Sequence, residues 1–226
     1  VENGINLTTS YRGLGICQLR MGNYEDAVTA FTNALGTEKV SKSVAKDLYL
    51  YRATARLQAG HLEDAMADCQ MLAQNYDMDA DCWFLTGKVA LAMDGYDEAS
   101  SDFEQAYGED SSYDRAIQIY EAYLEKDMEA DGTRYLEAVL STEAKGTDDL
   151  CDRGRIYYYM EDYANAKKEL TDASNQGSLE ALLVLGLVYG AQQDYANARS
   201  MYQQFVNQKL EDTSRNQTQT AAPGYN

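Results

Sequence analysis

Residues 22–27 read GNYEDA, and the chain repeats this stretch four more times with small changes. The other copies are GHLEDA at 60–65, DGYDEA at 94–99, EDYANA at 161–166 and QDYANA at 193–198. Each copy has a short polar turn, then an aromatic residue or Leu, then two polar or small residues, and last an Ala that opens a helix. A turn that recurs at such intervals indicates tandem repeats of one structural unit.

The residues on both sides of the first turn follow helical periodicity. Spacings of mostly three and four residues place them on one face of a helix: Tyr11, Leu14, Gly15 and Leu19 before the turn, and Ala27, Phe31, Ala34 and Leu35 after it. Two small residues, Gly15 and Ala27, stand where two such helices cross, and they allow a close approach of the backbones. This pattern predicts a helical hairpin.

The spacing of the helix-opening Ala indicates how many hairpins there are. Ala65 and Ala99 are 34 residues apart, whereas Ala99 and Ala166 are 67 residues apart, which is one residue short of two such intervals. A less regular hairpin is therefore expected between Ala99 and Ala166. We predict a lead-in at 1–7, a repeat domain at 8–212 and a flexible polar tail at 213–226. The six predicted units are 8–45, 46–79, 80–112, 113–146, 147–178 and 179–212.

These units resemble the tetratricopeptide repeat, a 34-residue hairpin with the pattern W-x2-L-G-x2-Y…A-x3-F…P. The residues that carry the resemblance recur in five units: Tyr11, Leu14, Gly15, Ala27, Phe31 and Ala34; Tyr49, Ala53, Ala65 and Cys69; Trp83, Gly87, Ala99, Phe103 and Ala106; Gly154, Tyr157, Ala166, Leu170 and Ala173; Leu185, Gly186, Tyr189, Ala198 and Tyr202. The shorter last unit resembles the related Sel1-type repeat. The only Pro, Pro223, lies outside the array, so the family's closing Pro is absent from every unit.

The resemblance implies an all-α fold, a right-handed α-α superhelix of about six tandem hairpins. In such a fold the first helices line a concave groove that takes a peptide, which makes the leading prediction a non-enzymatic scaffold or adaptor for a protein partner. Counting around each first helix gives the candidate groove residues: Arg12, Ile16, Leu50, Thr54, Phe84, Lys88, Arg155, Tyr158, Leu183 and Leu187. The three cations in this set are candidates to bind carboxylates of a peptide.

Two alternatives to peptide binding stay open. No polar capping helix follows the last hairpin, and stacked repeats need capped ends. Met201, Tyr202 and Phe205 are therefore candidates for self-association, either as a homodimer or as a spacer within a larger or surface-anchored protein. The 19 tyrosines offer a third function, carbohydrate or small-molecule binding in the groove. Three adjacent tyrosines, 157–159, point in different directions around a helix, so we expect at least one of them to be buried and one exposed.

The composition argues against nucleic acid and membranes as binding partners. The formal net charge is −18, with 19 basic against 37 acidic residues, and such a field repels nucleic acid and anionic membrane surfaces. No stretch approaches the roughly 20 apolar residues of a membrane-spanning helix. The sequence leaves the compartment open between the cytoplasm and the outside, as the soluble part of an anchored bacterial protein.

Catalytic and cofactor sites are not predicted. The single histidine, His61, occupies a repeat turn where other units carry Asn, Gly or Asp, which is typical of a solvated position. Nucleotide-binding, zinc-protease and hydrolase motifs are missing, so we predict no enzyme activity, no cofactor and no metal site. The four cysteines, each within a helical pattern, are expected to be small buried side chains, and one bridge between Cys69 and Cys82 stays open.

Overall fold

The computed structural model describes residues 7–38 and 40–220. It contains twelve helices in the described residues: α1 (Leu7–Arg20), α2 (Tyr24–Leu35), α3 (Lys42–Ala59), α4 (Leu62–Asn75), α5 (Ala80–Ala92), α6 (Tyr96–Glu109), α7 (Tyr113–Leu124), α8 (Glu129–Leu140), α9 (Thr147–Tyr159), α10 (Tyr163–Asn175), α11 (Leu179–Ala191) and α12 (Tyr195–Thr220). No strand occurs over these ranges. The predicted all-α class is confirmed, and the fold is that of a helical repeat solenoid.

Successive helices pair into six hairpins, and we call the two helices of each hairpin its first helix and its second helix. Within the units, the second helix of a hairpin packs on the first helix of the next at three places, α2 on α3, α4 on α5 and α10 on α11. The chain divides into two compact units, an N-terminal unit that ends at Arg115 and a C-terminal unit that begins at Ala116.

The repeated polar stretch is a helix-ending turn with a fixed backbone conformation. One residue in each hairpin turn has positive φ, between 57° and 82°: Gly22, Gly60, Asp94, Asp127, Glu161 and Gln193. The amide of the next residue donates to the carbonyl five positions back, for example Asn23 N to Gln18 O at 2.9 Å and Asp194 N to Tyr189 O at 2.8 Å. This is the Schellman arrangement, which satisfies carbonyls at a helix end.

The crossing of the two helices depends on a missing side chain. A Cβ on Gly15 would lie 2.5 Å from Phe31 Cε1, and a Cβ on Gly154 would lie 2.4 Å from Leu170 Cγ. Both Phe31 and Leu170 are fully buried. The small residue of the first helix therefore makes room for the large residue of the second, as the sequence pattern predicts for Gly15.

Helix α12 extends further than the sequence predicts. It runs to Thr220, so residues 213–220 are helical, although they lack the apolar periodicity that marks a packed helix. No Gly or Pro interrupts the chain between residues 195 and 220, and extending an existing helix does not carry the cost of nucleation. Residues 1–6 of the predicted lead-in and residues 221–226 of the predicted tail lie outside the described residues.

Candidate functional site

In the N-terminal unit, α1, α3 and α5 lie side by side and carry six of the candidate groove residues. Arg12 on α1 donates to Asp47 on α3 at 3.1 Å, and its guanidinium carbon lies 5.6 Å from the centre of the Tyr51 ring. Ile16 is half-buried and packs against the core around Phe31. Arg12 therefore already has a carboxylate partner, and Ile16 serves partly as a core residue.

The candidate residues on α3 and α5 likewise make contacts within the protein in addition to facing solvent. Leu50 is half-buried against the core, and the Thr54 hydroxyl donates to the Leu50 carbonyl at 2.9 Å. The Phe84 ring lies beneath two cations, with the Arg115 guanidinium carbon at 5.0 Å and Lys88 Nζ at 5.9 Å from its centre. Phe84 is therefore an aromatic contact point for cations as well as an apolar one.

In the C-terminal unit, α9 and α11 are neighbours and carry the other four candidate residues. Arg155 donates to Asp152 at 3.1 Å, and its Nη1 atom lies 3.6 Å from Glu180 on α11. Tyr158 and Leu183 are half-buried, whereas Leu187 is 48% exposed. We call Tyr158, Leu183 and Leu187 the C-terminal apolar face.

The expectation for the three adjacent tyrosines is wrong, since Tyr157, Tyr158 and Tyr159 are all half-buried. The Tyr159 ring covers Tyr120 at 5.0 Å between centres, and its hydroxyl donates to Glu121 at 2.6 Å. Partial burial and the Glu121 carboxylate raise the pKa of Tyr159. The tyrosines pack between helices of the C-terminal unit, and carbohydrate binding by them stays a prediction.

A buried carboxylate, Asp68 on α4, was not singled out from the sequence. It receives Nε of Arg52 at 3.0 Å and Nη2 at 2.6 Å, and Arg56 Nη1 lies 2.6 Å away. A carboxylate buried to this degree requires such charged partners. This cluster ties α3 to α4. The one sequence signal that could have indicated it is the spacing of Arg52 and Arg56, which places both on the same side of α3.

The buried cysteines are held as protonated thiols. Burial raises the pKa of the Cys69 thiol to about 12 and that of the Cys151 thiol to about 11, so both stay protonated at neutral pH. Cys69 and Cys82 are free thiols, as are Cys17 and Cys151. The prediction of burial is wrong for Cys17, which is exposed on α1.

His61 lies in the exposed turn that the sequence predicts, where its Nε2 atom is 2.7 Å from a carboxylate oxygen of Glu25. Over the described ranges, no three His, Cys, Asp or Glu side chains are grouped so as to hold a metal. Across the same residues, no helix has the length and apolar character needed to cross a bilayer.

The candidate self-association residues lie on α12. Met201 is half-buried against the core of the C-terminal unit, Phe205 is half-buried, and Tyr202 is 39% exposed. Tyr195, Tyr202 and Val206 line a shallow depression on this helix. Self-association through this helix stays a prediction.

Comparison with known families identifies the repeat. The tetratricopeptide repeat model matches residues 13–81 and 151–210, more than half of the chain. The chain belongs to the tetratricopeptide repeat family. Members of this family generally mediate contacts between proteins and are typically non-enzymatic scaffolds. The Sel1-type character of the last unit stays a prediction.

Solved structures show the same fold at low sequence identity. A tetratricopeptide repeat protein from Parabacteroides merdae has a TM-score of 0.58 at 17% identity, over 91% of this chain and 80% of that one. The pilF protein of Pseudomonas aeruginosa has a TM-score of 0.52 at 18% identity, over 96% and 98%. A thermophilic repeat protein of Thermus thermophilus has a TM-score of 0.53 at 16% identity, over 84% and 98%. No curated protein matches the chain.

Proposed function

We propose that this protein is a non-enzymatic interaction module that holds a segment of a partner protein along the first helices of the C-terminal unit. The observation that carries the proposal is the C-terminal apolar face. Leu187 has about half of its surface in water, and it shares α11 with half-buried Leu183, while Tyr158 lies on the neighbouring α9. A few apolar anchors on adjacent helices are sufficient for most of the affinity of a peptide complex.

The charges around this face favour a particular ligand. Arg155 is already engaged by Asp152 and Glu180, so a ligand carboxylate would have to replace an intramolecular partner. The Glu180 side chain, by contrast, is largely exposed, and the whole chain carries a net charge of −18. A segment with two or more apolar side chains and basic flanking residues therefore fits better than an acidic one.

The first helices of the N-terminal unit offer a second place for the same kind of segment. Phe84 and Leu50 supply half-buried apolar surface, and Asp47 and Asp81 supply carboxylates whose side chains are at least half exposed. Lys88, whose Nζ lies 5.9 Å from the centre of the Phe84 ring, would orient the segment through its backbone carbonyls. The apolar surface here is more covered than at Leu187, so we place the main contact on the C-terminal unit.

The experiment is a selection of displayed random peptides on the intact chain, followed by affinity measurement with one selected peptide. Leu187→Glu places a charge within the apolar contact and should weaken binding by about tenfold or more, because burying an unpaired charge costs more than about 1.4 kcal/mol. Met160→Glu is the matched control, since Met160 is also exposed but lies at the end of α9, in the turn. Equal affinity for both variants, or no selected peptide at all, would refute the proposal.

A further inference from the structure

The repeated turn motif differs between the two units of the chain. In the N-terminal unit, two carboxylates follow the aromatic residue or Leu of each motif: Tyr24-Glu25-Asp26, Leu62-Glu63-Asp64 and Tyr96-Asp97-Glu98. In the C-terminal unit, the two positions after the Tyr hold Ala and Asn instead: Tyr163-Ala164-Asn165 and Tyr195-Ala196-Asn197. We call the nine residues of the N-terminal set the acidic turn edge.

Helix stability accounts for only part of this difference. A negative charge in the first turn of a helix is favourable because of the helix dipole, and the N-cap residues Asn23, His61 and Gly95 form no side-chain cap bond. In α10, however, Asp162 accepts a hydrogen bond from the amide of Asn165 at 3.1 Å, and the first turn of that helix has no acidic residue. One carboxylate is therefore sufficient at such a helix start, whereas each N-terminal hairpin carries two.

The six carboxylates of the acidic turn edge are accessible to a partner. All six side chains are exposed, and over the described residues the one ion pair that they form joins Glu25 to His61 at 2.7 Å. The charge of Arg56 on the neighbouring α3 is taken up by buried Asp68 at 2.6 Å. A cationic ligand would therefore displace no Lys or Arg from these carboxylates.

Apolar side chains lie beside the carboxylates. Met21 is 63% exposed at the first turn, and Met93 and Tyr96 are 41% and 47% exposed at the third. Between the first two turns, Tyr24 and Ala59 line a shallow depression together with the carboxylates that follow Tyr24. An aromatic ring next to a carboxylate suits a Lys or Arg side chain, whose stem packs on the ring while its charge reaches the carboxylate.

The three turns follow one another along one edge of the N-terminal unit. Helices α1, α3 and α5 lie side by side, and because the first helices of successive hairpins run in the same direction, their turns emerge at the same end. Packed helices are about 8–10 Å apart. A polyproline II chain has three residues per turn and rises about 3.1 Å per residue, so every third side chain points the same way, about 9 Å further on.

We propose that the acidic turn edge binds a segment of a partner protein in the polyproline II conformation, with Lys or Arg at every third position. Charge identifies this occupant, because the three stretches contain six carboxylates and no Lys or Arg, and the adjacent apolar side chains receive the stems of the basic residues. The edge shares no residue with the C-terminal apolar face, so the two sites can be tested separately.

The test is a fluorescence-anisotropy titration of the intact chain with two labelled peptides of identical composition. In the spaced peptide, three lysines stand at every third position among Pro and Ala, and in the clustered peptide the three lysines are adjacent. We expect the spaced peptide to bind about fivefold more tightly, because only its lysines reach all three turns, and its affinity to fall with added salt. Equal affinity of the two peptides, or no binding of the spaced peptide at low salt, would overturn the proposal.

A matched pair of variants separates the edge from general attraction by the net charge. Glu63→Gln with Asp64→Asn removes two charges from the middle turn and should weaken the spaced peptide about three- to tenfold. Glu137→Gln with Glu143→Gln removes the same charge from exposed positions of the C-terminal unit and should change the affinity less than about twofold. Equal losses would contradict a defined site. Leu187→Glu should leave the affinity of the spaced peptide unchanged, and a loss there would mean that this peptide lies on the C-terminal apolar face.

Discussion

Gly15 and Gly13 stand two residues apart in α1, yet their surroundings differ. A Cβ on Gly15 would overlap the ring of Phe31, whereas a Cβ on Gly13 would have no heavy atom within 4 Å. Helix propensity favours Ala over Gly at both positions by roughly 1 kcal/mol. Packing opposes this preference only at Gly15, because the ring of Phe31 that a Cβ would overlap is fully buried.

We therefore expect opposite effects from the same substitution. Gly13→Ala should raise the free energy of unfolding by up to about 1 kcal/mol, and Gly15→Ala should lower it by about 1–3 kcal/mol. Thermal or urea unfolding of dilute protein measures both values. A stabilising Gly15→Ala would show that the helices do not cross as closely as the structure has them.

Asp102 on α6 makes stability depend on pH. Burial, and next the neighbouring charge of Glu98 on the same helix, raise the pKa of Asp102 to about 6. The folded state thus holds this proton at pH values where the unfolded state has lost it, so the group makes the protein less stable as the pH rises from about 4 to about 6. Cys69 on α4 also feels the Asp102 charge, but it stays a protonated thiol over that range.

The substitution Asp102→Asn removes this titration. At about pH 7.5 it should raise the free energy of unfolding by about 1 kcal/mol, a value reduced from the full linkage energy because the side chain is only half-buried. At about pH 3.5 the gain should nearly vanish, because the carboxyl is then protonated in the folded state and largely protonated in the unfolded state. Unfolding curves at the two pH values measure the difference, and an equal gain at both would mean that Asp102 titrates normally.

The ion-pair partners of individual site residues could not be predicted from the sequence. Arg12 pairs with Asp47, which lies 35 positions along the chain, and Arg155 pairs with Glu180 on another helix. The spacing of residues within one helix predicts the side on which an Arg lies, and within each unit the candidate residues lie on neighbouring first helices. It cannot predict which carboxylate of the next hairpin lies opposite, because that depends on how the two helices pack.

At the scale of an element, the backbone conformation of the hairpin turn is the same in all six hairpins, although the residues of the turn differ. The left-handed position holds Gly in the first two hairpins and Asp, Glu or Gln in the other four. For a residue with a Cβ, this conformation costs about 1–2 kcal/mol. Four hairpins thus keep the turn at a cost in stability, which the packing of their helices offsets.

Substitutions at this position should separate backbone strain from packing. Gly60→Ala should lower the free energy of unfolding by about 1 kcal/mol, since a Cβ there would meet no atom within 4 Å and only the positive φ opposes it. Glu161→Gly should raise the free energy of unfolding by about 0.5–1 kcal/mol for the converse reason. Gly36→Ala is the control, because Gly36 also ends a helix but has φ of −79°; a loss there equal to that of Gly60→Ala would contradict this account.

The same turn explains how far the sequence predicts the elements. Five hairpins can be predicted from the sequence because a polar turn, an aromatic residue or Leu, and an Ala recur in the same order. The fourth hairpin lacks that motif, and its turn at Asp127 is recognisable only from the backbone. The end of α12 cannot be predicted from the sequence for another reason. A helix that has already formed continues through polar residues until a Gly or Pro ends it. Amphipathic periodicity therefore underestimates the length of this helix.

At the scale of the molecule, the acidic surface and the exposed apolar side chains have different effects on contact with other proteins. A net charge of −18 keeps most of the surface solvated and repels acidic partners. Exposed apolar side chains then mark the places where contact with another protein is favourable. One such place is the C-terminal apolar face around Leu187.

The measurement that tests peptide binding most directly is a methyl spectrum of the intact chain with labelled leucines, recorded during titration with a selected apolar, basic peptide. The methyl signals of Leu183 and Leu187 should shift, because they lie at the proposed contact. Those of Leu170 and Leu136, which are fully buried, should stay in place. Shifts confined to Leu210 on α12, or no shift at Leu187 with a peptide that binds, would contradict the proposed binding face.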